Sequence, residues 1–305
     1  MNTKPGLPAA RTGQAAFIDR VARLCRLSPE RRAAAIRPLS GAAGLGSVDR
    51  TCIDGGGDMM LTFAVPINGP LTVGVASALP QRPAPNVRLW RRWDVARPTD
   101  VGRSLIFGKP RATDWEIAVD EVEAIAAPPS VLAELRTRGS VYMTARDEPG
   151  SGRGWLSFGL YHRQSPRQTL AALGQPQVWA TVRDLMTDLL GRPLSDGTRP
   201  WSIAVSAAGS EGRIRIGTTI WARMPEHPEK ARRLARQIGV FGHDRDLVSG
   251  LYNYCCGQAR APRGVGVAAE FDFEDGAVKG AHYTLRVPPV GPGPGFLKEV
   301  LDGQD

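Results

Sequence analysis

The sequence predicts an α+β fold in which antiparallel β-hairpins alternate with helices. Apolar strands with period-2 alternation flank turn residues, as in MMLTFAVPINGPLTVGVASAL. Segments with helical periodicity separate these hairpins. Consecutive hairpins with helices outside can close into a β-barrel, whose outward strand face is apolar and whose inward face can be polar. A two-layer sandwich and an open sheet fit the same alternation, so the pattern leaves these alternatives open.

The first half of the chain begins with a predicted helix over residues 14–38. The first hairpin follows and turns at residues 67–70, an Ile-Asn-Gly-Pro stretch. Between 86 and 120, only RSLIFGKP reads as a short strand, and VRLWRRWDVARP fits neither periodicity. The first half therefore predicts one hairpin and indicates a second.

The second half repeats the same unit three times. The hairpins are GSVYMTARDEPGSGRGWLSFGLYH, WSIAVSAAGSEGRIRIGTTIWA and GVGVAAEFDFEDGAVKGAHYTLRV, the last turning at Asp275-Gly276. Helices are predicted at 166–190, 225–239 and 245–258, with a short tail helix in GFLKEVLDG. We expect residues 1–305 to form a single domain.

Composition indicates a soluble globular protein with an anionic partner or a compositional bias toward arginine. The net charge is +9, and only five of the 39 basic residues are lysine. The anionic partner could be nucleic acid, a membrane surface or a phosphorylated small molecule. No stretch has the roughly 18 apolar residues that span a bilayer, and the N-terminus does not resemble a signal peptide. We expect a cytoplasmic monomer that binds no membrane.

The cysteines do not indicate a metal or redox site. They form no CxxC pair and have no histidine at zinc-site spacing. A hydrolase that uses Cys255 or Cys256 with His162 is conceivable, but nothing in the spacing brings these residues together. We therefore predict no metal ligands.

Cationic residues recur on the less apolar faces of the hairpins. Alternation gives each hairpin one such residue: Arg103, Arg153, Arg215 and Lys279. Converging Arg and Lys side chains suit a diphosphate, because each donates charge-assisted hydrogen bonds. Aromatic and hydroxyl residues share these faces and suit a hydrophobic or cationic group: Tyr142, Trp155, Ser157, Thr219, Trp221 and Tyr283.

The last hairpin places one carboxylate on the same face. Val267, Ala269 and Phe271 form its apolar face, so Glu270 falls on the polar face. A buried glutamate is costly unless it meets a donor. We predict Glu270 as the residue that orients or deprotonates a substrate.

Four stretches in the second half resemble one enzyme family. They are SVYMTARDEPGSGRGWLSFGLY, GRIRIG, LYNYCCGQARAP, and AVKGAHYTLRV followed by GFLKEVLDGQD. In order and spacing they are similar to the ABBA (PT-barrel) aromatic prenyltransferases of the small bacterial branch. The resemblance implies an antiparallel barrel of about ten strands surrounded by α-helices, built from repeated αββα units.

The resemblance also implies roles for individual residues. Arg215 and Lys279 match diphosphate ligands, Arg153 and Ser157 match further ligands, and Arg103 matches another. Tyr142 and Tyr283 match positions in the acceptor pocket. Several tyrosines that screen the allyl cation in the family are replaced here, so Trp155 or Trp221 would serve instead.

No cofactor is expected. Some members bind Mg²⁺ through an aspartate on the first hairpin, and Met60 or Thr62 takes that position here. The resemblance thus implies transfer of a dimethylallyl or geranyl group from its diphosphate to a phenol, indole or related ring in secondary metabolism. The acceptor would be a small molecule or a peptide.

The main alternative is a non-catalytic basic protein that binds RNA or DNA. It predicts arginines clustered on an outer surface. The predicted enzyme places its important arginines inside and binds no nucleic acid.

Overall fold

The described residues form ten β-strands and six α-helices. The computed structural model describes residues 9–40, 59–79, 87–108, 142–148, 153–159, 165–191, 201–206, 214–221, 227–258 and 266–287. The strands are β1 Met59–Pro66, β2 Thr72–Ala78, β3 Val87–Asp94, β4 Val101–Gly108, β5 Tyr142–Glu148, β6 Arg153–Gly159, β7 Trp201–Ser206, β8 Ile214–Trp221, β9 Gly266–Glu274 and β10 Ala277–Val287. The helices are α1 Ala9–Leu24, α2 Pro29–Ser40, α3 Pro166–Ala172, α4 Val178–Leu190, α5 His227–Val240 and α6 Arg245–Gln258.

The strands close into an antiparallel barrel. Each strand pairs with the next along the chain, and β1 pairs with β10 to complete the ring. Closure leaves no unpaired edge among the ten described strands. The sandwich and the open sheet are therefore excluded, and the predicted barrel of about ten strands is confirmed.

The outward face of the barrel is mostly apolar and packs against the helices. Phe271 and Tyr283 lie on this face, fully buried, with their rings edge to face at 6.4 Å between centroids. The Tyr283 hydroxyl donates to Gln237 Oε1 of α5 at 2.6 Å. On the other side of the ring, the Trp93 indole N–H donates to the Ala35 carbonyl of α2 at 2.9 Å. Because strand residues alternate, the neighbours of these residues face the lumen.

Two of the predicted helices are each divided in two. Arg26 has a left-handed φ of 58°, and Pro29 then begins α2 beside its cap Ser28. Likewise, Gly174 at φ 73° separates α3 from α4. Left-handed residues end a helix because they turn the chain out of the α-helical path. The helix predicted at 245–258 is confirmed, with its first N–H groups capped by Asp244.

The last hairpin combines a tight turn with a bulge. Asp275 and Gly276 both have left-handed φ values, 52° and 78°, as a type I′ turn requires. Beyond the turn, Val278 pairs with Phe273 and Gly280 pairs with Asp272, so Lys279 is the extra residue of a β-bulge. The bulge reverses the alternation expected from the turn alone.

The segment that fits neither periodicity in the sequence is strand β3. Arginines occupy both of its faces, which hides the alternation. On the outward face, the Arg91 guanidinium donates to the Pro38 carbonyl of α2. The predicted tail helix lies outside the described residues. Within the described ranges, no helix is both long and apolar enough to cross a membrane.

Candidate active site

The pairing register defines the residues on the lumen face. On β1, β2 and β4 these are mostly small or apolar residues: Met60, Thr62, Ala64, Gly74, Ala76, Ala78, Gly102, Ser104 and Ile106. Charged or titratable residues take inward positions on β3, β5 and β6, including Arg88, Arg92, Asp94, Arg146 and Arg153. Others lie together on the β8 to β10 side: Arg215, Glu270, Asp272, His282 and Arg286. A barrel with more than eight strands has room for a ligand unless its interior is filled by large side chains. The small residues on β1, β2 and β4 leave such room.

A buried arginine is at the centre of the charged side. The side chain of Arg215, on β8, is 1% exposed. Its Nε and Nη2 donate to the two oxygens of Asp272 on β9, the Nη2 contact measuring 3.0 Å. The guanidinium carbon lies 3.9 Å from the centre of the Trp155 ring on β6. The ion pair and the aromatic ring together compensate a charge that would otherwise be costly to bury.

A histidine completes this cluster. His282 Nε2, on β10, lies 2.7 Å from Arg215 Nη2 and 2.8 Å from Asp272 Oδ2. We call Arg215, Asp272 and His282 the lumen triad. It joins three consecutive strands of the ring, β8, β9 and β10.

The electrostatics of the triad favour an ionised aspartate. Burial by itself raises the pKa of Asp272, but the charge of Arg215, the electrostatic interaction with His282 and hydrogen bonds with both residues outweigh burial and hold that pKa well below its usual range. Asp272 is therefore a carboxylate throughout the neutral range.

Most of the predicted site residues occupy positions on the lumen face. For Arg215, Trp155 and Glu270, the structure also describes the burial of the side chain: the first two are buried and Glu270 is partly buried. Eight predicted residues are at inward positions of the register: Tyr142, Arg153, Trp155, Ser157, Arg215, Thr219, Trp221 and Glu270.

The predictions for Lys279 and Tyr283 are wrong in their placement. Without a bulge, the Asp275-Gly276 turn would pair Lys279 with Asp272 and place Tyr283 in the lumen. The bulge shifts the register by one residue, so Tyr283 packs outward onto α5 and His282 takes the inward position. Lys279 is the bulged residue and its side chain is exposed.

Arg103 is also misplaced by the prediction. It pairs with Arg91 on the outward face of the β3–β4 hairpin and is exposed. Its neighbours Gly102 and Ser104 occupy the inward positions. Because these residues are small, the sequence does not reveal which face of β4 meets the lumen.

Sequence analysis missed three lumen residues. Alternation places Asp272 on the face of Glu270 but does not reveal its partner, and alternation counted from the Asp275-Gly276 turn would put His282 on the opposite face. Trp90 belongs to the strand that the sequence did not reveal. Its indole N–H is buried with no hydrogen-bond partner among the described residues. The missing information was the register of β10 for His282, the register of β3 for Trp90, and the pairing of β8 with β9 for Asp272.

Other chemistry finds little support in the structure. Among the described residues, no three His, Cys, Asp or Glu side chains are grouped as metal ligands. Cys255 is fully buried in α6, in the apolar core, and His162 lies outside the described residues. The alternative of a cysteine hydrolase has no accessible nucleophile at Cys255.

The barrel has close counterparts among solved structures. The fold of AnaPT from Neosartorya fischeri matches 94% of this chain and 96% of that protein, with a TM-score of 0.57 and 11% identity. NotF, solved in complex with brevianamide F and DMSPP, matches over the same shares with a TM-score of 0.58 and 8% identity. Both are ABBA aromatic prenyltransferases.

This chain has the PT-barrel fold. No protein-family model matches its sequence, and no curated protein sequence matches it either. The likeness is therefore one of architecture.

Proposed function

We propose that this PT barrel transfers a prenyl group from an allylic diphosphate to an electron-rich aromatic ring. The observation that carries the proposal is Arg215, a buried arginine that lies over the Trp155 ring inside a closed barrel. Such a site offers a cation for a diphosphate and an aromatic surface for the prenyl group. NotF, which has the same fold, was solved with an aromatic compound and DMSPP.

The diphosphate would bind on the β6–β8 side of the lumen. Arg215 supplies guanidinium N–H donors, and Arg153 and Ser157 occupy inward positions on β6. Breaking the bond between carbon and oxygen leaves the electron pair on the diphosphate. Donors fixed at that position stabilise the developing charge without reorganising, which is a large source of catalysis.

Aromatic rings would shield the allyl cation formed in this step. Trp155 and Trp90 are buried at inward positions, and Tyr142 and Trp221 occupy inward positions of the register. An aromatic face attracts a cation and excludes water. Thr219, inward on β8, belongs to the same predicted pocket.

The acceptor ring would occupy the space beside β1, β2 and β4, where small residues line the lumen. Attack by the ring forms the new carbon–carbon bond and leaves a proton to be removed. Glu270 is paired with His282 on one side and Gly217 on the other. Its carboxylate would orient the acceptor by accepting from a phenol hydroxyl or an indole N–H, or would accept the ring proton.

A decisive experiment uses isotope-labelled dimethylallyl diphosphate and a panel of phenols, indoles and indole-containing dipeptides. We expect a labelled product that is heavier by one prenyl group, formed in stoichiometric amount with diphosphate. We expect the same rate in EDTA, because we propose that no metal is required. Glu270→Gln should lower transfer to the preferred acceptor far more than binding of the prenyl diphosphate. No product with any acceptor or prenyl length would contradict the proposal.

The outer arginines do not favour the alternative of a nucleic-acid-binding protein. Several of them pair with carboxylates on the helices, as Arg232 and Arg233 do with Glu229 and as Arg236 does with Asp188. Pairing reduces the positive potential available to a phosphate backbone. The same preparation tested against labelled RNA and DNA would expose this alternative.

A further inference from the structure

The lumen triad contains a contact pattern that no protonation state of His282 satisfies. With a lone pair on Nε2, His282 accepts from Arg215 Nη2, and the carboxylate oxygen 2.8 Å away faces another acceptor. With a proton on Nε2, His282 donates to Asp272. The Nε2–H group then faces an N–H group of Arg215, which is also a donor. One of the two contacts is therefore unfavourable in either state.

Arg215 is also committed to Asp272 in this state of the protein. Two of its nitrogens, Nε and Nη2, donate to the two carboxylate oxygens, so a diphosphate that accepts from this edge of the guanidinium competes with Asp272. If Arg215 turned to a ligand alone, Asp272 would be left as a poorly compensated carboxylate, which is costly in a buried site.

His282 is placed to take over as the partner of Asp272. The charged residues at the neighbouring inward positions belong to three strands. Asp272 and Glu270 lie on β9, Arg215 lies on β8, and Arg286 occupies an inward position four residues further along β10. The inward residues of β1 beside it are uncharged, including its pairing partner Ala64.

We propose that His282 takes up a proton when a diphosphate binds to Arg215, and then replaces Arg215 as the cationic partner of Asp272. This inference rests on the proposed function and names the residue that couples diphosphate binding to pH. The proton comes from solvent and forms a bond with the imidazole lone pair. Nε2–H then donates to Asp272 Oδ2, which resolves the conflicting contacts, and the guanidinium is released to the diphosphate.

The low pKa of Asp272 agrees with this exchange, because the carboxylate is available as a partner at every relevant pH. Histidine side chains ordinarily change charge between about pH 5 and pH 8. Binding that takes up one proton becomes weaker as the pH rises, by up to about tenfold per pH unit where the free histidine is neutral. A histidine with a merely structural role would produce no such dependence.

Calorimetry with a thiolodiphosphate analogue of dimethylallyl diphosphate tests the exchange, because the analogue does not ionise. Titrations at about pH 7.5 in buffers of different ionisation enthalpy measure the protons taken up per analogue bound. We expect the wild type to take up about one proton more than His282→Gln, which cannot bind one. His243→Gln is the matched control, because His243 bonds to the Pro66 carbonyl and lies outside the triad. It should behave as the wild type.

Equal proton uptake by the wild type and His282→Gln, with both proteins binding the analogue, would overturn the exchange and leave the proposed function intact. No binding by the wild type would instead overturn the proposed function, and the exchange with it. Asp272→Asn gives a second readout. We expect it to bind the analogue at least as tightly as the wild type, because the competing carboxylate is gone. A folded Asp272→Asn protein that binds tenfold more weakly would show that Asp272 only orients Arg215. If this variant does not fold, the His282→Gln comparison decides alone.

Discussion

The two hairpins that build the lumen triad are neighbours in the barrel but differ by one residue in their register. In β7–β8, the described ladder is regular from Trp201 to Val205, and the faces expected from alternation are the faces observed. In β9–β10, the bulge at Lys279 reverses the faces from Gly280 onward. Alternation therefore assigns a side chain to a face only as far as the register is unbroken. The chemistry of the site depends on this single residue, because it brings His282 rather than Tyr283 to Arg215.

Among the variants that test this comparison, deletion of Lys279 should change the protein most. A regular register would move Tyr283 into the lumen and His282 into the layer between sheet and helices. We expect loss of cooperative unfolding, measured by circular dichroism during thermal denaturation. Lys279→Ala keeps the register and should change the free energy of unfolding by no more than about 0.5 kcal/mol. A deletion variant as stable as the wild type would show that the bulge is not required.

Breaking the buried ion pair should have the next largest effect. Arg215→Met leaves Asp272 without its main partner, and we expect the free energy of unfolding to fall by about 3–5 kcal/mol. Replacing both residues, as in Arg215→Met with Asp272→Leu, should recover much of this loss because no charge is left unpaired.

Urea denaturation at pH 7 measures both variants. Arg232→Met is the matched control, because its pair with Glu229 lies on an exposed helix face and should contribute less than about 1 kcal/mol. If Arg215→Met and Arg232→Met lowered the free energy of unfolding equally, burial would not make the Arg215–Asp272 pair more important to stability than the exposed Arg232–Glu229 pair.

The low pKa of Asp272 should appear as a difference in acid stability. Its folded pKa lies below the ordinary value of about 4, so its contribution is fully present above that value. The contribution is then lost as the pH falls toward the folded pKa. We expect the free energy of unfolding to decline more steeply below about pH 4 in the wild type than in Asp272→Asn. Parallel declines in urea titrations would contradict the assignment.

Tyr283→Phe should have a smaller effect, confined to stability. It removes the hydroxyl that donates to the buried Gln237 Oε1. Because that oxygen loses this donor, the free energy of unfolding should fall by about 1–3 kcal/mol. Because Tyr283 faces α5, the KM for the aromatic acceptor should not change. A large rise in that KM with unchanged stability would instead indicate that Tyr283 faces the lumen.

The barrel itself could be predicted from the sequence because hairpin signals are local. The Asp275-Gly276 turn and the alternation of β5 to β8 are patterns of consecutive residues. The structure contains both, as the sequence predicts. Strand β3 was not recognised, because its arginines use both faces. Outside the barrel Arg91 bonds to α2, which is a contact that no local pattern encodes.

The site was predictable only in part, for the same reason. Arg215 and Trp155 lie on strands with a regular register, and their inward positions follow from alternation. Their contact with each other, and the pairing of Arg215 with Asp272, join residues far apart in the sequence. The bulge that selects His282 lies where β10 packs closely against β1. There, a Cβ atom on Gly280 would lie 3.0 Å from the Pro66 backbone.

The central claim is that the diphosphate is held by Arg215 inside the barrel and not by Lys279. Its most direct test is the kcat/KM for dimethylallyl diphosphate in Arg215→Gln and Lys279→Ala, compared per folded molecule at a saturating concentration of the acceptor. Loss of a charge-assisted hydrogen bond corresponds to about 1.5–3 kcal/mol. We therefore expect Arg215→Gln to lose at least tenfold and Lys279→Ala to lose less than about twofold, because an exposed side chain outside the site contributes little. The opposite ranking, with Lys279→Ala impaired and Arg215→Gln active, would contradict the account.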